Sequence, residues 1–310
     1  TGAVFVIDID PGSPRLYEVT DTITIMTATG KINGLAVNAD GTRLYLTAPA
    51  TELYGGTKAW IRGGRDEGEV LVVNVDEADR PATPTAPNTK KWRKVIKSLP
   101  GALEPYGIKA TSRPDRMIFT SRLRGGVNSL YEGLQTIEVT NNDALAFDAT
   151  VNTINLKLST DTNQKYQLYI RNPIDVAILP DMSYAFVSDW NVPLSVGPGG
   201  ASLIDYMEKH EVGSKVGLIK QPFGPSPEIV AATSPIPLSF ANEIEVSSDG
   251  RKVYAIYKST GDVLVFDVQG MILKANNTPP DERKKHPIDK MPDLKTADPS
   301  VVMPGIPVGI

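Results

Sequence analysis

Carboxylates are the groups in this chain best suited to act on a substrate, and three of them, Glu104, Asp175 and Glu243, stand near the starts of apolar segments. A carboxylate so placed can act as a general base, or work beside a metal that polarises a carbonyl, which is the chemistry of lactone hydrolysis. Little else supports catalysis. His210 and His286 are the two histidines of the chain, too few for a multi-histidine metal centre. The absence of cysteine excludes a thiolate nucleophile, a disulfide framework, Cys-ligated zinc and iron–sulfur clusters. Asp8-Ile9-Asp10-Pro11-Gly12 opens like a calcium loop but lacks the later ligands and the bidentate Glu. Isolated acidic residues normally face water, so the three carboxylates are expected at strand ends or in solvent. Neither metal nor cofactor is expected.

Residues suited to recognition are grouped more tightly. Three long segments between apolar runs carry aromatic and arginine side chains, the residue types that dominate interface hot spots. Residues 48–68 hold Tyr54, Trp60, Arg62 and Arg65; residues 122–133 hold Arg122, Arg124 and Tyr131; residues 189–214 hold Asp189, Trp190, Tyr206 and His210. Long loops in a compact domain are commonly functional, so these make a candidate binding surface.

The elements that must position them form an internal repeat, the first thing to seek in a chain of this length. Four times an apolar strand meets a tight turn at an aspartate and returns as a second apolar strand: from Gly34 through Asp40-Gly41 to Thr47, from Tyr106 through Pro114-Asp115 to Ser121, from Ile174 through Pro180-Asp181 to Ser188, and from Glu243 through Asp249-Gly250 to Tyr257. β-Branched and aromatic residues bounded by Asp, Gly and Pro read as hairpins. A third strand follows at 70–75, 134–139, 216–219 and 263–268, and a more polar fourth at 95–99, 153–158 and 229–232. Four antiparallel strands per repeat make the blade of a β-propeller.

This pattern, with its V-x-V-[IF]-D third strand and with Tyr45-Leu46-Thr47 near the signature position, resembles the YVTN-type propeller repeat of bacterial surface and secreted proteins. The resemblance spans nearly the whole chain and implies an all-β propeller. It departs in length: the turn aspartates at 40, 115, 181 and 249 are spaced by 75, 66 and 68 residues, against about 40–50 in most propeller repeats. Each blade should therefore carry long inter-strand loops. Some YVTN-like relatives hydrolyse lactones, which makes a lactonase-like site in the central funnel the alternative function. Sialidase, Kelch and WD40 signatures are absent from the sequence.

Residues 2–8 match a third strand, 22–28 a fourth, and Pro307-Val308-Gly309-Ile310 the start of a first. The expectation is one propeller over residues 1–310 with about five blades, the terminal one split between residues 1–28 and 304–310, excised from a larger protein. The stretch 79–91, rich in Pro and Thr, should be extended, and 269–299 should hold short helices. A net charge of −4 and a pI near 5.4 argue against a general nucleic-acid binder. No apolar run approaches the roughly 20 residues of a membrane helix. The resulting expectation is a non-catalytic interaction or scaffold domain, placed at the cell surface, outside the cell or in the periplasm. It would bind a protein or glycan through the looped face and neighbour other domains of a longer chain.

Overall fold

The computed structural model describes residues 2–27, 31–49, 51–52, 60–61, 68–102, 104–121, 133–156, 170, 172–190, 213–236, 239–258, 260–290 and 302–307, with backbone alone at 51–52, 60–61, 290 and 302–307. The chain opens with β1 (Gly2–Ile7) and β2 (Val19–Ile25), an antiparallel two-stranded sheet. Next come β3 (Gly34–Val37), β4 (Arg43–Ala48), the short pair β5 (Thr51–Glu52) and β6 (Trp60–Ile61), then β7 (Glu69–Asn74) and β8 (Val95–Pro100). β3, β4, β7 and β8 form the first four-stranded sheet, in that order. The second contains β9 (Pro105–Ala110), β10 (Arg116–Ser121), β11 (Leu134–Asn141) and β12 (Asp148–Ile154). The third contains β13 (Pro173–Ile178), β14 (Tyr184–Asp189), β15 (Val216–Lys220) and β16 (Glu228–Ala232). The fourth contains β17 (Ala241–Val246), β18 (Lys252–Tyr257), β19 (Asp262–Asp267) and β20 (Val302–Pro307), with helices α1 (Val268–Asn277) and α2 (Pro280–Arg283) between its last two strands.

The hairpin turns explain themselves locally. Asp40 Oδ1 accepts from the Thr42 amide at 3.1 Å, Asp181 Oδ1 from Ser183 at 2.9 Å, and Asp249 Oδ1 from Arg251 at 3.0 Å, the Asx geometry by which an aspartate closes its own turn. Gly41 and Gly250 supply the left-handed residue, with φ of 76° and 70°. In the third blade Met182 takes that conformation instead.

The sheets pack face to face in succession, as propeller blades do. Tyr45, Val70 and Val72 of the first meet Met117, Phe119 and Ile137 of the second. Ile118 and Leu134 of the second meet Val176, Ala185 and Val187 of the third. Phe186 and Leu218 of the third meet Ile244, Val253, Ala255 and Phe266 of the fourth, where Met271 of α1 joins them. Ile23 and Ile25 of β2 lie on Leu44 and Leu46. A sheet covered on both faces has no polar side, so β4 is buried at all six residues.

The innermost strands define the hub: β3 packs on β9, β9 on β13, and β13 on β17. The first two contacts are held in the same way. Thr47 Oγ1 donates to the Tyr106 carbonyl at 2.6 Å, and Thr120 Oγ1 to the Ile174 carbonyl at 2.7 Å. Glycine makes the approach possible. A Cβ on Gly34 would sit 2.4 Å from the Tyr106 oxygen, and one on Gly107 would sit 2.4 Å from Asp175 Oδ1 and 2.7 Å from the Ile174 oxygen.

Two expectations need correction. β20 pairs with β19 as the outermost strand of the fourth blade, so residues 304–307 do not complete a blade with β1 and β2, and the described residues form four whole blades plus two two-stranded sheets, β1–β2 and β5–β6. The reason is pairing: a strand following α1 and α2 returns to the free edge of its own sheet. The fourth strand of the second blade also lies earlier than expected, at Asp148–Ile154, because residues 142–147 make a tight link from β11.

Gly107→Ala is expected to lower unfolding free energy by about 2 kcal/mol, because backbone and a buried carboxylate leave no room for a methyl group. Gly41→Ala, where nothing lies within 4 Å of the new carbon, should cost only about 1 kcal/mol of left-handed strain. Urea titration of both variants checks the difference.

Candidate functional site

At the hub the four innermost strands line a cleft of about 360 Å³, among whose walls are Asn33 just before β3, Leu35 of β3, Lys109 of β9, Asp175 of β13, and Glu243 and Glu245 of β17. Lys109 is the centre of its electrostatics. Its Nζ lies 2.6 Å from Glu245 Oε2 and 3.7 Å from Asp175 Oδ2. Asp175 Oδ2 also accepts the Ile244 amide at 3.2 Å, so one carboxylate ties the third blade to the fourth. Burial pushes the Asp175 carboxyl above the usual carboxylate range, against the pull of Lys109 and of the amide bonds. Burial works to lower the Lys109 pKa, but Asp175, Glu245 and Glu243 together outweigh it and hold the ammonium above its ordinary value.

The arrangement therefore corrects the expected placement of the carboxylates. Asp175 and Glu104 are buried rather than solvent-facing, whereas Glu243 is exposed. A buried carboxylate persists only when paired, and for Asp175 the partner sits on a different blade. Among the described residues no group of three or more His, Cys, Asp or Glu side chains is placed to hold a metal ion.

The looped surface is only partly described. Tyr54, Arg62, Arg65, Arg122, Arg124, Tyr131, Tyr206 and His210 lie outside the described residues, and Trp60 is placed by its backbone alone, paired with Glu52. Asp189 and Trp190 are in view, and both are engaged in the fold. Asp189 is fully buried at the end of β14, its Oδ1 accepting the Asn172 amide at 2.9 Å and its Oδ2 lying 4.0 Å from the equally buried Lys215 Nζ. The Trp190 ring meets Phe240 edge to face at 5.3 Å, covering the entry to the fourth blade.

A second concavity, of about 750 Å³, lies on the flank between β2 and the segment that follows β7. There Arg93 stands 4.1 Å and Arg80 5.1 Å from the Trp92 ring, a double cation–π arrangement. Arg93 also pairs with Asp21 of β2 and lies 3.8 Å from Glu77. Asn88 brackets the Trp92 backbone with two bonds, at 2.7 and 2.8 Å. Sequence reasoning missed this groove, since the adjoining 79–91 reads as a plain extended link; its one signal was the Trp-Arg pair.

These features define a β-propeller whose polar hub is held by cross-blade ion pairs. No family model matches the chain, and no curated protein matches it. Solved structures with a related course include a candidate 6-phosphogluconolactonase from Bacteroides uniformis (11% identity, TM-score 0.47, 86% of this chain and 60% of that one). Another, from Bacteroides fragilis, shares 14% identity, with TM-score 0.46 and the same coverages. Hydrazine synthase from Kuenenia stuttgartiensis shares 11% identity, with TM-score 0.42, over 95% of this chain and 78% of that one. The chain thus spans about 60% of the length of the two lactonase candidates.

Lys109→Met should leave Asp175 buried beside an apolar side chain and cost about 2 kcal/mol, reduced by screening at the partly exposed ammonium. The pH dependence has a definite sign. A carboxyl whose folded pKa is raised contributes stability below the unfolded range near 4, and loses it as pH rises through the folded value. Removing Lys109 raises that folded value further. The deficit of the variant should therefore be larger at about pH 7 than at about pH 4, and Lys109→Met/Asp175→Asn should recover most of it. Chemical denaturation at the two pH values checks both statements.

Proposed function

We propose that this chain is a non-catalytic β-propeller interaction domain that binds a protein or glycan partner. The observation that carries the reading is the hub network: Lys109 engages Asp175 and Glu245, and Asp175 holds the Ile244 amide. The carboxylate best placed by burial for acid–base work is thus committed to joining blades. A propeller is a scaffold for many functions, so the reading rests on this site and not on the fold.

The partner surface under this proposal is the looped face carrying Tyr54, Trp60, Arg62, Arg65, Arg122, Arg124 and Trp190. Display at a bacterial surface or in a secreted protein, beside neighbouring domains, fits such a role. The flank groove with Trp92 offers the same residue chemistry and is the natural control. In a glycan-array and partner-capture experiment, Trp60→Ala should weaken binding about tenfold or more, the scale of a hot-spot truncation, while far-UV circular dichroism stays unchanged. If Trp92→Ala alone weakens binding, the working surface is the flank.

A lactone hydrolase acting in the hub cleft is the second reading, favoured by the raised pKa of the Asp175 carboxyl. Turnover on a panel of sugar lactones that disappears in Asp175→Asn, with the fold retained, would establish it and overturn the binding-domain proposal. The expected result is no turnover in either protein.

A further inference from the structure

The groove on the flank of the first blade is separate from the hub and from the looped face. β2 forms one wall and the link from β7 to β8 the other, and that link leaves the sheet at the end opposite the 48–68 segment. Its walls are fixed by the blade. Asn74, fully buried at the end of β7, donates to the Lys90 carbonyl at 2.8 Å and to Asp79 Oδ2 at 3.0 Å, and its own carbonyl accepts the Arg93 amide at 2.6 Å. Across the groove Arg93 pairs with Asp21 of β2, which ties the two walls together. Pro81 and Pro84 stiffen the link between these anchors.

The site is arranged around Trp92. Lys91 and Arg93 on either side of it hold φ of 56° and 55°, a left-handed conformation that is strained in residues other than glycine and recurs at ligand clamps. Asn88 grips the Trp92 backbone from both ends. The indole Nε1 is buried and has no hydrogen-bond partner among the described residues, although a tryptophan that serves a core normally pairs that group. The ring is thus placed for its surface, on which the Arg80 and Arg93 guanidinium groups rest. Glu77 lies 3.4 Å from Arg80 Nη1 and 3.8 Å from Arg93 Nη2, which orders both forks. Thr20, Thr22 and Thr24 of β2 line the other wall, and strand alternation spaces these hydroxyl-bearing residues about 7 Å apart.

Charge selects the ligand. Residues 90–94 read Lys-Lys-Trp-Arg-Lys, a concentration of cations in a chain whose net charge is −4. Within the groove the carboxylates of Asp21 and Glu77 are engaged by arginine, and Lys94 is exposed with no ion-pair partner among the described residues. We propose that the groove binds an acidic oligosaccharide, with its sugar rings against Trp92 and the threonines and its carboxylate or sulfate groups on Lys94 and Arg80. A hollow of about 750 Å³ has the size of a small-ligand site. A peptide, whether from a partner or from this chain, needs apolar seats, and Ile23, the one large aliphatic residue of the lining, is buried against the first blade. Single-stranded nucleic acid needs successive stacking platforms along a basic track, whereas this lining offers one ring and two carboxylates.

The test is calorimetric titration of the 310-residue protein with a short uronic-acid oligomer, a sulfated oligomer, its neutral parent, an oligo-glutamate and an oligodeoxythymidylate. At least one of the two acidic glycans should bind saturably, at least about tenfold more tightly than the neutral parent, and should weaken as salt is raised. Trp92→Ala should reduce that affinity about tenfold or more, and Trp92→Phe, which keeps an aromatic surface, should restore part of it. Lys94→Gln, at an exposed position, should reduce it about threefold with unchanged circular dichroism. Trp60→Ala should bind the acidic glycan as the unaltered protein does, and any ligand lost in Trp60→Ala should still bind Trp92→Ala. The groove is then a second working surface, whatever partner the looped face takes. The proposal is overturned if no acidic glycan binds saturably, if the neutral parent binds equally, or if oligo-glutamate or oligodeoxythymidylate binds as tightly. Affinity indifferent to both Trp92→Ala and Lys94→Gln overturns it as well, since the glycan would then sit elsewhere.

Discussion

The structure depends on how closely one innermost strand can approach the next. Thr47 and Thr120 each donate a hydroxyl proton to a carbonyl of the following blade, and Gly34 and Gly107 remove the side chains that would keep the strands apart. Hydrogen bonds of this kind contribute about 1 kcal/mol each. Their larger effect is to fix where each sheet begins relative to its neighbour. With that spacing set, Tyr45, Phe119 and Phe186 fall into the inter-blade cores and the outer strands follow by antiparallel pairing.

The hub's electrostatics are a consequence of the same geometry. At the third blade the position equivalent to Gly107 is held by Asp175, and its carboxylate takes over the linking role by accepting the Ile244 amide. The residual cost of burying a charge there is offset by Lys109 from the second blade, which Glu245 of the fourth also engages. Three blades thereby share one ion cluster. This coupling gives the Asp175 carboxylate a role in joining blades, in a cleft whose described lining holds three carboxyl groups beside one ammonium.

Coverage sets the burial pattern from blade to blade. β4 and β14 are sandwiched and buried along their whole length, whereas β18 alternates because, among the described residues, only one of its faces meets another sheet. The sequence of β18 does not announce this difference, since Tyr254 and Ile256 are as apolar as residues of the covered strands. An apolar face without a neighbour is a property of the assembly of sheets, invisible to local pattern.

What the sequence determined by itself was the local architecture. Alternating apolar residues and the turn aspartates at 40, 181 and 249 dictate the hairpins, because side-chain period and Asx geometry act over a few residues. The third strands and two of the four fourth strands, β8 and β16, were legible for the same reason, as was α1, capped by Asp267. Only tertiary structure decided the rest. Lys109 and Glu245 stand 136 residues apart along the chain, so no motif could show that they meet. Asp189, which read as part of a binding surface, is buried against Lys215, and Trp190 lies on Phe240. The destination of β20 followed from which sheet edge was free. Spacing along the chain encodes the blade, and the approach of one blade to the next decides which side chains share a site.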